Sequence, residues 1–361
     1  MSALTRTIAV VTGTRAEFGL LQPVMRAIEA TDGLALQTIV TGTHLTRNTW
    51  CDIDDAGFVI SARVPMQHGE DVGRAADVAA LGYGITGIGA MLEHLAPDVV
   101  IVLGDRIEAF AAATAASVGG FHVAHIHGGD RAEGVADESL RHAISKMAHV
   151  HFAATEQSRE RLIRMGESDR LVFNVGSPAA DGLTDVSVAD DSPELIVIQH
   201  PIGEEDSKEK QWMQDTLRAA DGCSRLVLAP NDDPGSDGIR EAIIDEHVMP
   251  VEHLPRDRFL ELLCGAKAIV GNSSAGLIEA AILRKPCLNI GPRQAGREKP
   301  ENVIDCDYGQ SNVATAIEKV MTLDLNEMHH PYGDGQSSDR IAETLAKIDL
   351  KSVLIRKQNT Y

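Results

Sequence analysis

The stretch Val10–Gly19, VVTGTRAEFG, holds a strand, a turn and a helix start in immediate succession. Its apolar beginning is typical of a buried strand, and Gly13 allows a tight turn. Thr14, followed three residues later by Glu17, matches the box that caps the first turn of a helix. A strand that passes through a glycine turn into a helix is one βα unit, so the stretch predicts a parallel sheet covered by helices.

The same succession recurs along the chain. Strand-like runs of apolar and β-branched residues are TIAVVT, ALQTIVT, DVVIVLG, FHVAHIH, HVHFAA, LVFNVG, ELIVIQ, RLVLAP, KAIVGN and PCLNIG. Helical patterns lie between them at Glu17–Glu29, Ile107–Ser117, Asp137–Met147, Asp206–Ala220 and Ala275–Leu283. Several strands are apolar on both faces, as in a parallel sheet with helices on both sides. We therefore predict an α/β protein of two Rossmann-like domains that face each other across a cleft.

The polar segment from Ala180 to Pro193 has the composition of a linker and separates the two halves. We expect an N-terminal domain over residues 1–180 and a C-terminal domain over residues 190–340. Residues 341–361 would form a C-terminal helix or tail that packs back on the N-terminal domain. A chain of 361 residues, 43% of them hydrophobic, is long enough for two such cores.

The composition excludes several classes of protein. The formal net charge is −20, without the basic patch that nucleic-acid binding requires. No run approaches about 18 uninterrupted apolar residues, so we expect no membrane span. The first residues lack the pattern of a signal peptide, and the five cysteines form no C-x-x-C pair, so we expect a cytoplasmic protein with reduced thiols. An anionic ligand would have to be bound by local donors such as arginine and helix N-termini.

Nearly every predicted strand ends in glycine together with a polar or charged residue. The carboxyl ends of the strands line the ligand crevice of an open α/β sheet, so these residues predict a binding site. Glycine and polar residues also make ordinary turns, but the number of such ends favours a site. The ends are Gly13-Thr14-Arg15, Gly42-Thr43-His44, Gly104-Asp105-Arg106, His127-Gly128-Gly129-Asp130, Gly176-Ser177, His200-Pro201, Pro230-Asn231, Gly271-Asn272-Ser273-Ser274 and Gly291-Pro292-Arg293.

Several of these ends carry candidate anion-binding groups. Arg15 lies in a predicted first helical turn, where a cation opposes the helix dipole unless an anion meets it. Arg106 is a second candidate clamp for an anion. Ser273 and Ser274 precede a predicted helix, where hydroxyl and backbone N–H groups suit a diphosphate, although a single serine would serve as an N-cap. Glu279, further along that helix, is either a ligand of ribose hydroxyls or part of a solvated face.

Histidine and acidic residues gather around the end of the run FHVAHIH. His125 and His127 share one face of that strand, but their spacing is not that of a standard ligand set, and we expect no metal. Asp130 and Asp137 follow in the next loop and helix start. Asp137 has the alternative role of an ordinary helix-start residue, and Asp105, at another strand end, that of a helix-dipole partner.

Several blocks together resemble the hydrolysing UDP-N-acetylglucosamine 2-epimerases of sialic-acid biosynthesis, and their relatives that act on a diacetamido-trideoxy sugar nucleotide for legionaminic acid. The matching blocks are VTGTRAEFG, VLGDRIE, AHIHGGD, DESLRHAISKMAH, FNVGSP, QHP, GNSSAGLIE and NIGPRQAGRE. They run in family order from near the N-terminus to about residue 300. The resemblance implies two Rossmann-like domains in a GT-B-like arrangement, with the active site between them, the sugar and catalytic residues in the first domain and nucleotide binding in the second.

Matched by position, the resemblance also implies roles for individual residues. The residues implied to hold the UDP part are Arg15, His200, Ser273, Ser274, Glu279 and Arg293, with Gly13, Thr14, Arg106 and Asn272 in the same blocks. Asp105 and Asp137 match acidic residues assigned to catalysis, and His200 contacts the diphosphate or donates a proton to it. One acid/base position stays open: some members have Glu in place of His127, and others have His followed by Gly-Gly-Glu, where this chain has Asp130.

The implied reaction converts UDP-N-acetylglucosamine and water into N-acetylmannosamine and UDP. The proton on C2 is only weakly acidic, so its removal is coupled to departure of UDP from C1 in an anti elimination that leaves a 2-acetamidoglucal. Water then adds at C1 while a proton returns to the opposite face of C2. Two acid/base groups that flank the ring are needed, and neither cofactor nor metal is required.

Alternatives to this reaction remain at the sequence level. The nearest is the same reaction on UDP- or GDP-linked 2,4-diacetamido-2,4,6-trideoxyglucose, which the segment EGVADESLRH fits at least as well. Glycosyl transfer by the same architecture and non-catalytic binding of a sugar nucleotide are more distant. The resemblance further implies a homo-oligomer, either a dimer or a tetramer.

Overall fold

The computed structural model describes residues 5–67, 73–131, 137–183, 186–231, 233–252 and 254–360. The chain divides into two compact units. The first contains the chain up to Asp130, Asp137–Asp181 and Gly333–Tyr361, and the second contains Gly182–Tyr332.

The first unit is built on a parallel sheet of seven strands, in the spatial order β3-β2-β1-β4-β5-β6-β7. Its strands are β1 (Arg6–Thr12), β2 (Leu34–Thr41), β3 (Ile60–Val64), β4 (Val99–Leu103), β5 (His122–Ile126), β6 (Val150–Ala153) and β7 (Val172–Asn174). Its helices up to that point, within the described residues, are α1 (Arg15–Ala30), α2 (Thr43–Thr46), α3 (Cys51–Asp55), α4 (Arg74–Leu95), α5 (Ile107–Gly119), α6 (Asp137–Met147) and α7 (Glu156–Arg164).

The second unit has a parallel sheet of five strands, in the order β12-β11-β10-β8-β9. Its strands are β8 (Leu195–Ile198), β9 (Arg225–Val227), β10 (Ala268–Gly271), β11 (Cys287–Ile290) and β12 (Val303–Cys306). The helices that follow in the chain are α8 (Asp206–Ala219), α9 (Ser236–Asp245), α10 (Arg256–Gly265), α11 (Glu279–Ile282), α12 (Gln310–Val320) and, back in the first unit, α13 (Ser337–Lys347). Two parallel sheets, each with helices between its successive strands, confirm the prediction of an α/β protein with two Rossmann-like domains.

Successive side chains of a central strand point to opposite faces of the first sheet, and both sets are apolar, so helices cover both faces. In β1, Ile8 and Val10 pack with apolar residues of α1 and α13. Ala9 and Val11 point to the other face, against α4 and α5. All residues of β4 are buried, and each fully buried valine or isoleucine contributes roughly 1.5–3 kcal/mol.

Each sheet has a point at which the order of its strands reverses. In the first sheet it lies between β1 and β4, and in the second between β8 and β10. A crevice opens at such a point beside the carboxyl ends of the strands, and ligands of open α/β sheets bind there. The residues that follow these four strands are Gly13, Gly104, Gln199 and Asn272.

The continuous helix predicted at Ala275–Leu283 is wrong. The structure has a 3-10 turn at Ser274–Gly276 and only the short helix α11 after it. Gly276 approaches β11 so closely that an added Cβ would lie 2.4 Å from the sulfur of Cys287. Packing of this turn on the strand replaces the regular helix that the local sequence favours.

Helix α4 is the longest helix of the described chain and was not predicted. Four glycines interrupt its sequence, RAADVAALGYGITGIGAMLEHL, and it lacks the apolar stripe of an amphipathic helix. By length and composition it could cross a membrane, although an apolar helix of a soluble core passes the same test. Only 22% of its apolar window is buried inside the chain, and Val78 and Tyr83 are exposed on it.

Candidate active site

The turn after β1 places Arg15 at the first position of α1. Thr14 caps this helix by accepting a hydrogen bond from the backbone N–H of Glu17 at 3.3 Å. The guanidinium of Arg15 donates to the carboxylate of Asp52 through Nε at 2.6 Å and Nη2 at 3.4 Å. Arg15, for which an anionic partner was predicted, is therefore paired with a carboxylate of the chain itself. Asp52 was not predicted from the sequence.

Two further carboxyl groups lie beneath this turn. Glu17 accepts a hydrogen bond from the backbone N–H of Gly13 at 2.6 Å, and burial, followed by the nearby charge of Glu108, raises its pKa from 4.5 to about 8. Glu108 is buried, and Arg106 Nε lies 3.4 Å from its Oε2. An added Cβ on Gly13 or Gly42 would lie about 2.5 Å from Glu108 Cγ. Glycine is thus required at both turns because Glu108 packs against their backbones.

Asp105 follows β4 and is held by an arginine of α6. Arg141, whose side chain is 3% exposed, forms an ion pair with the Asp105 carboxylate and donates a hydrogen bond to the backbone oxygen of His127 at 3.3 Å. An ion pair with a buried arginine favours the ionised form of a carboxyl group. Arg141 was missed from the sequence, although it lies one helical turn after Asp137 and therefore on the same face of α6.

His127 and Asp130, which the sequence left as competing candidates, contact each other. His127 Nδ1 lies 2.9 Å from Asp130 Oδ2, and His127 Nε2 lies 2.9 Å from Ser177 Oγ. Ser158 Oγ donates to the second oxygen of Asp130 at 2.7 Å. The four side chains are buried. His127 also has φ +62°, a conformation that few residues other than glycine adopt, so the ring is held in one position at some cost in backbone energy.

Asp137 is the first residue of α6, as predicted, but its side chain lies outside the described part of the structure. The catalytic role that the resemblance implies for Asp137 therefore remains a prediction.

His125, the other histidine on this strand, has a different environment. Its Nε2 lies 2.8 Å from the backbone oxygen of Gly104 and its Nδ1 lies 3.1 Å from Ser145 Oγ. Burial lowers its pKa to about 3, so the ring is neutral and ties the end of β4 to α6. Within the described residues, no group of three or more His, Cys, Asp or Glu side chains is arranged to hold a metal ion.

In the second unit, Asn272 organises the end of β8. Its Oδ1 accepts the backbone N–H of His200 at 2.7 Å, and its Nδ2 donates to the backbone oxygen of the same residue at 2.8 Å. The backbone oxygen of Asn272 accepts hydrogen bonds from Gln294 at 2.8 Å and from Arg293 at 3.3 Å. Asn272 thereby joins the segments that follow three strands, β8, β10 and β11.

The imidazole of His200 is held as a neutral hydrogen-bond donor. Its Nδ1 accepts the backbone N–H of Asn231 at 3.1 Å, which places the ring hydrogen on Nε2. Burial, followed by the nearby charge of Arg293, lowers its pKa to about 3. A neutral Nε2–H group can donate to a phosphate oxygen.

The remaining candidates of the second unit surround the turn after β10. Ser273 caps the 3-10 turn through a hydrogen bond from the backbone N–H of Ala275 at 3.3 Å, and Ser274 is the first residue of that turn. Glu279 is nearly buried and pairs with Arg256, whose Nη1 lies 3.2 Å from its Oε1. Arg256 was not predicted from the sequence.

Proteins of similar sequence are sugar-nucleotide 2-epimerases. A family profile described as UDP-N-acetylglucosamine 2-epimerase matches residues 26–346. The chain is 36% identical to the UDP-N,N'-diacetylbacillosamine 2-epimerase (hydrolyzing) of Legionella pneumophila, over 99% of this chain and 100% of that protein. It is 31% identical to the UDP-N-acetylglucosamine 2-epimerase of Neisseria meningitidis, over 97% of this chain and 98% of that protein.

Solved structures show the same fold. A UDP-GlcNAc 2-epimerase from Neisseria meningitidis bound to UDP-GlcNAc has a TM-score of 0.81 and 21% identity, over 95% of this chain and 100% of that one. The Methanocaldococcus jannaschii UDP-GlcNAc 2-epimerase in complex with UDP-GlcNAc and UDP has a TM-score of 0.80 and 21% identity, over 94% of this chain and 99% of that one.

Proposed function

The chain belongs to the UDP-N-acetylglucosamine 2-epimerase family, and we propose that it catalyses the hydrolysing form of the reaction, in which water releases UDP and a free manno-configured sugar. Membership of the family makes it a sugar-nucleotide 2-epimerase. The observation that carries the proposal is the connected group of Asp105, Arg141, His127 and Asp130 at the carboxyl ends of β4 and β5.

In the first half of the reaction a base removes the proton from C2 while the C1–O bond to UDP breaks. Asp105 is the candidate base, since its ion pair with Arg141 fixes the position of its carboxylate. The C–H electron pair becomes the C1–C2 double bond of the glucal, and the C1–O pair leaves with UDP. In the second half, water adds at C1 and a proton is delivered to the opposite face of C2, for which Asp137 or the His127–Asp130 pair is the candidate.

Departing UDP carries negative charge that the protein must stabilise. The candidate donors for this charge are Arg15, Arg293, the Nε2–H group of His200 and the Ser273–Ser274 turn. We propose that Glu279 accepts hydrogen bonds from ribose hydroxyls while Arg256 holds it in place. The arginines act locally, because the chain as a whole carries a net charge of −20 and repels an anion at long range.

Two substrates are proposed for test. The Legionella pneumophila relative, at 36% identity, is a UDP-N,N'-diacetylbacillosamine 2-epimerase, which favours UDP-linked 2,4-diacetamido-2,4,6-trideoxyglucose. The Neisseria meningitidis relative, at 31% identity, is a UDP-N-acetylglucosamine 2-epimerase, which favours UDP-N-acetylglucosamine. We propose that the product enters legionaminic-acid biosynthesis if the first substrate is the natural one, and sialic-acid biosynthesis if the second is. A cytoplasmic location remains part of the proposal, supported by five cysteines that are all free.

The test is incubation of the purified protein with each sugar nucleotide in D₂O, followed by NMR. The expected products are UDP and a free manno-configured sugar with deuterium at C2. Asp105→Asn should lose activity by at least about a hundredfold, whereas Asp190→Asn, which changes an exposed aspartate, should not. UDP release without deuterium at C2, or release only with a sugar acceptor, contradicts the proposal and favours glycosyl transfer.

We further propose that the protein is a homo-oligomer and that the exposed side of α4 lies in the subunit interface. Val78 is 72% exposed and Tyr83 is 54% exposed on this helix, and no heavy atom lies within 4 Å of the position that a Cβ of Gly82 would occupy. Small residues beside apolar ones allow a second helix to approach closely, and a second copy supplies an equally apolar face.

Light scattering after size-exclusion chromatography tests this interface. Val78→Glu and Tyr83→Glu should each shift the protein toward the monomer. Met249→Glu, at a residue that is 88% exposed in the second unit, should not. A monomeric wild-type protein, or an oligomer that survives both substitutions on α4, contradicts the proposed interface.

A further inference from the structure

The C-terminal segment, residues 353–360, lies along the first unit and is held there by histidines. His122 Nε2 lies 3.0 Å from the backbone oxygen of Val353, and His149 Nε2 lies 3.1 Å from the backbone oxygen of Ile355. His149 Nδ1 accepts a backbone N–H of the sheet, so its Nε2 carries the hydrogen that it donates to the C-terminal segment. These contacts fasten the segment near the beginnings of β5 and β6.

Lys357 binds the C-terminal end of α6. Its ammonium group donates to the backbone oxygens of Ser145 at 3.0 Å, Lys146 at 3.1 Å and Ala148 at 2.6 Å. The last carbonyls of a helix have no partner within the helix and carry partial negative charge, so one ammonium group satisfies three acceptors and interacts favourably with the helix dipole. The side chain of Lys357 is 19% exposed, which strengthens this interaction relative to one in water.

A buried carboxylate completes the attachment. Glu167 forms an ion pair with Lys357, accepts a hydrogen bond from Lys146 at 2.7 Å and lies 3.0 Å from His151 Nε2. Burial by itself raises the pKa of Glu167, but the hydrogen bonds and charges of these three partners outweigh it and lower the pKa to about 2. Lys146 also donates to Asn359 at 2.6 Å. The carboxylate of Glu167 therefore binds both Lys357 of the C-terminal segment and Lys146 of α6.

The opposite end of α6 lies in the candidate active site. Asp137 is the first residue of this helix, and Arg141, one turn further on, holds the carboxylate of Asp105 and the backbone of His127. A shift of the helix along its axis or a rotation about it would move all of these contacts together. Even a small shift of these groups would slow the reaction, because a misplacement of about 1 Å can lower the rate about a hundredfold.

We propose that Lys357 is a positioning residue for the epimerase reaction: by binding the C-terminal end of α6, it fixes the helix that aligns Arg141 and, through it, Asp105. The proposal rests on the proposed function of the site. It assigns a role in catalysis to a residue four positions from the end of the 361-residue sequence, outside every block of the family resemblance.

The test compares Lys357→Met with Lys351→Met, which changes an exposed lysine a few residues earlier in the chain. For Lys357→Met we expect kcat to fall by about tenfold or more, while KM changes by less than about threefold, since the proposed nucleotide-binding residues of the second unit are untouched. Lys357→Arg, which keeps the charge and the donors, should recover part of the lost kcat. Lys351→Met should leave both constants unchanged.

Hydrogen exchange followed by mass spectrometry gives a readout that does not depend on activity. In Lys357→Met, peptides that cover α6 should exchange faster, while peptides from β8, β10 and β11 should not change. If Lys357→Met does not fold, Lys357→Gln, which keeps an N–H donor for the carbonyls, is measured in the same two ways.

The outcomes separate the two proposals. Unchanged kcat together with unchanged exchange in α6 overturns the role of Lys357, as does faster exchange spread evenly over both units. Faster exchange in α6 with kcat still at the wild-type value also overturns it, because the helix would then be attached without aligning the catalytic groups. A wild-type protein that releases no UDP and exchanges no hydrogen at C2 refutes the proposed function instead.

Discussion

Replacement of Glu17 by glutamine should stabilise the first unit at neutral pH. Glu17 is buried beneath the turn after β1, and burial together with the charge of Glu108 raises its pKa from 4.5 to about 8. The carboxyl group is therefore protonated in the folded protein at pH 7, whereas it is ionised in the unfolded chain. Glutamine has nearly the same shape as a protonated glutamate and still offers an oxygen to the backbone N–H of Gly13.

The direction of the pH effect follows from this difference in protonation. Between pH 4.5 and about 8, the folded state binds one proton more than the unfolded state, so the free energy of unfolding falls as the pH rises. The slope is about 1.4 kcal/mol per pH unit. The contribution of Glu17 is fully present below pH 4.5 and is lost as the pH rises through about 8. Between pH 5 and pH 7 the wild type should lose roughly 2–3 kcal/mol through this group, and Glu17→Gln should lose none of it.

Urea denaturation at pH 5, 6, 7 and 8 measures the effect. The protein has two tryptophans, Trp50 in the first unit and Trp212 in the second, so a Trp212→Phe background makes the fluorescence report on the first unit. Glu29→Gln, on the exposed side of the same helix, is the matched control and should show no pH-dependent difference. A difference between Glu17→Gln and wild type that stays constant from pH 5 to pH 8 would refute the assignment of a neutral buried carboxyl group.

Three further predictions concern the candidate site. Asn272→Ala leaves the backbone N–H and carbonyl of His200 without the partner that holds them. UDP affinity measured by calorimetry should therefore fall by about tenfold. Unchanged affinity would argue against a role of Asn272 in positioning His200 for UDP. Asp52→Asn removes the carboxylate that neutralises Arg15, and UDP should bind more tightly at low salt; weaker binding would mean that Asp52 mainly positions the arginine. His127→Asn should lower kcat without changing UDP affinity, and a loss confined to affinity would contradict a role in proton transfer.

Most of the fold could be predicted because its strands are buried on both faces. A strand such as β4, Val99–Leu103, reads as an unbroken apolar run between turn residues, and the bounds of α6, Asp137–Met147, were predicted as they are observed. The edge strands β3 and β12 were missed because they are short and only partly buried: Ile60–Val64 alternates apolar with polar residues, and Val303–Cys306 contains no long apolar run. Helix α4 was missed because its apolar residues are spread around the helix, so its sequence shows no polar stripe.

The candidate site was predictable in its strand-end residues and not in their partners. Parallel strands bring their carboxyl ends to one edge of a sheet, so the positions of Asp105, His127 and His200 follow from the order of elements. Arg141 and Asp52 lie 36 and 37 residues from the carboxylate and the guanidinium that they bind. No local pattern marks such pairs, because they depend on the packing of helices against the sheet.

The contact between His127 and Asp130 changes the question that the sequence raised about them. The Nδ1 atom of His127 and the Oδ2 atom of Asp130 lie 2.9 Å apart, so the two side chains form one hydrogen-bonded pair. The pair is a candidate for the acid/base function that the resemblance implies for one glutamate in other members, and Ser177 Oγ lies 2.9 Å from the second ring nitrogen of His127. Replacement of either His127 or Asp130 alone should remove the function of the pair. A variant with both replacements should therefore lose little more activity than each single variant.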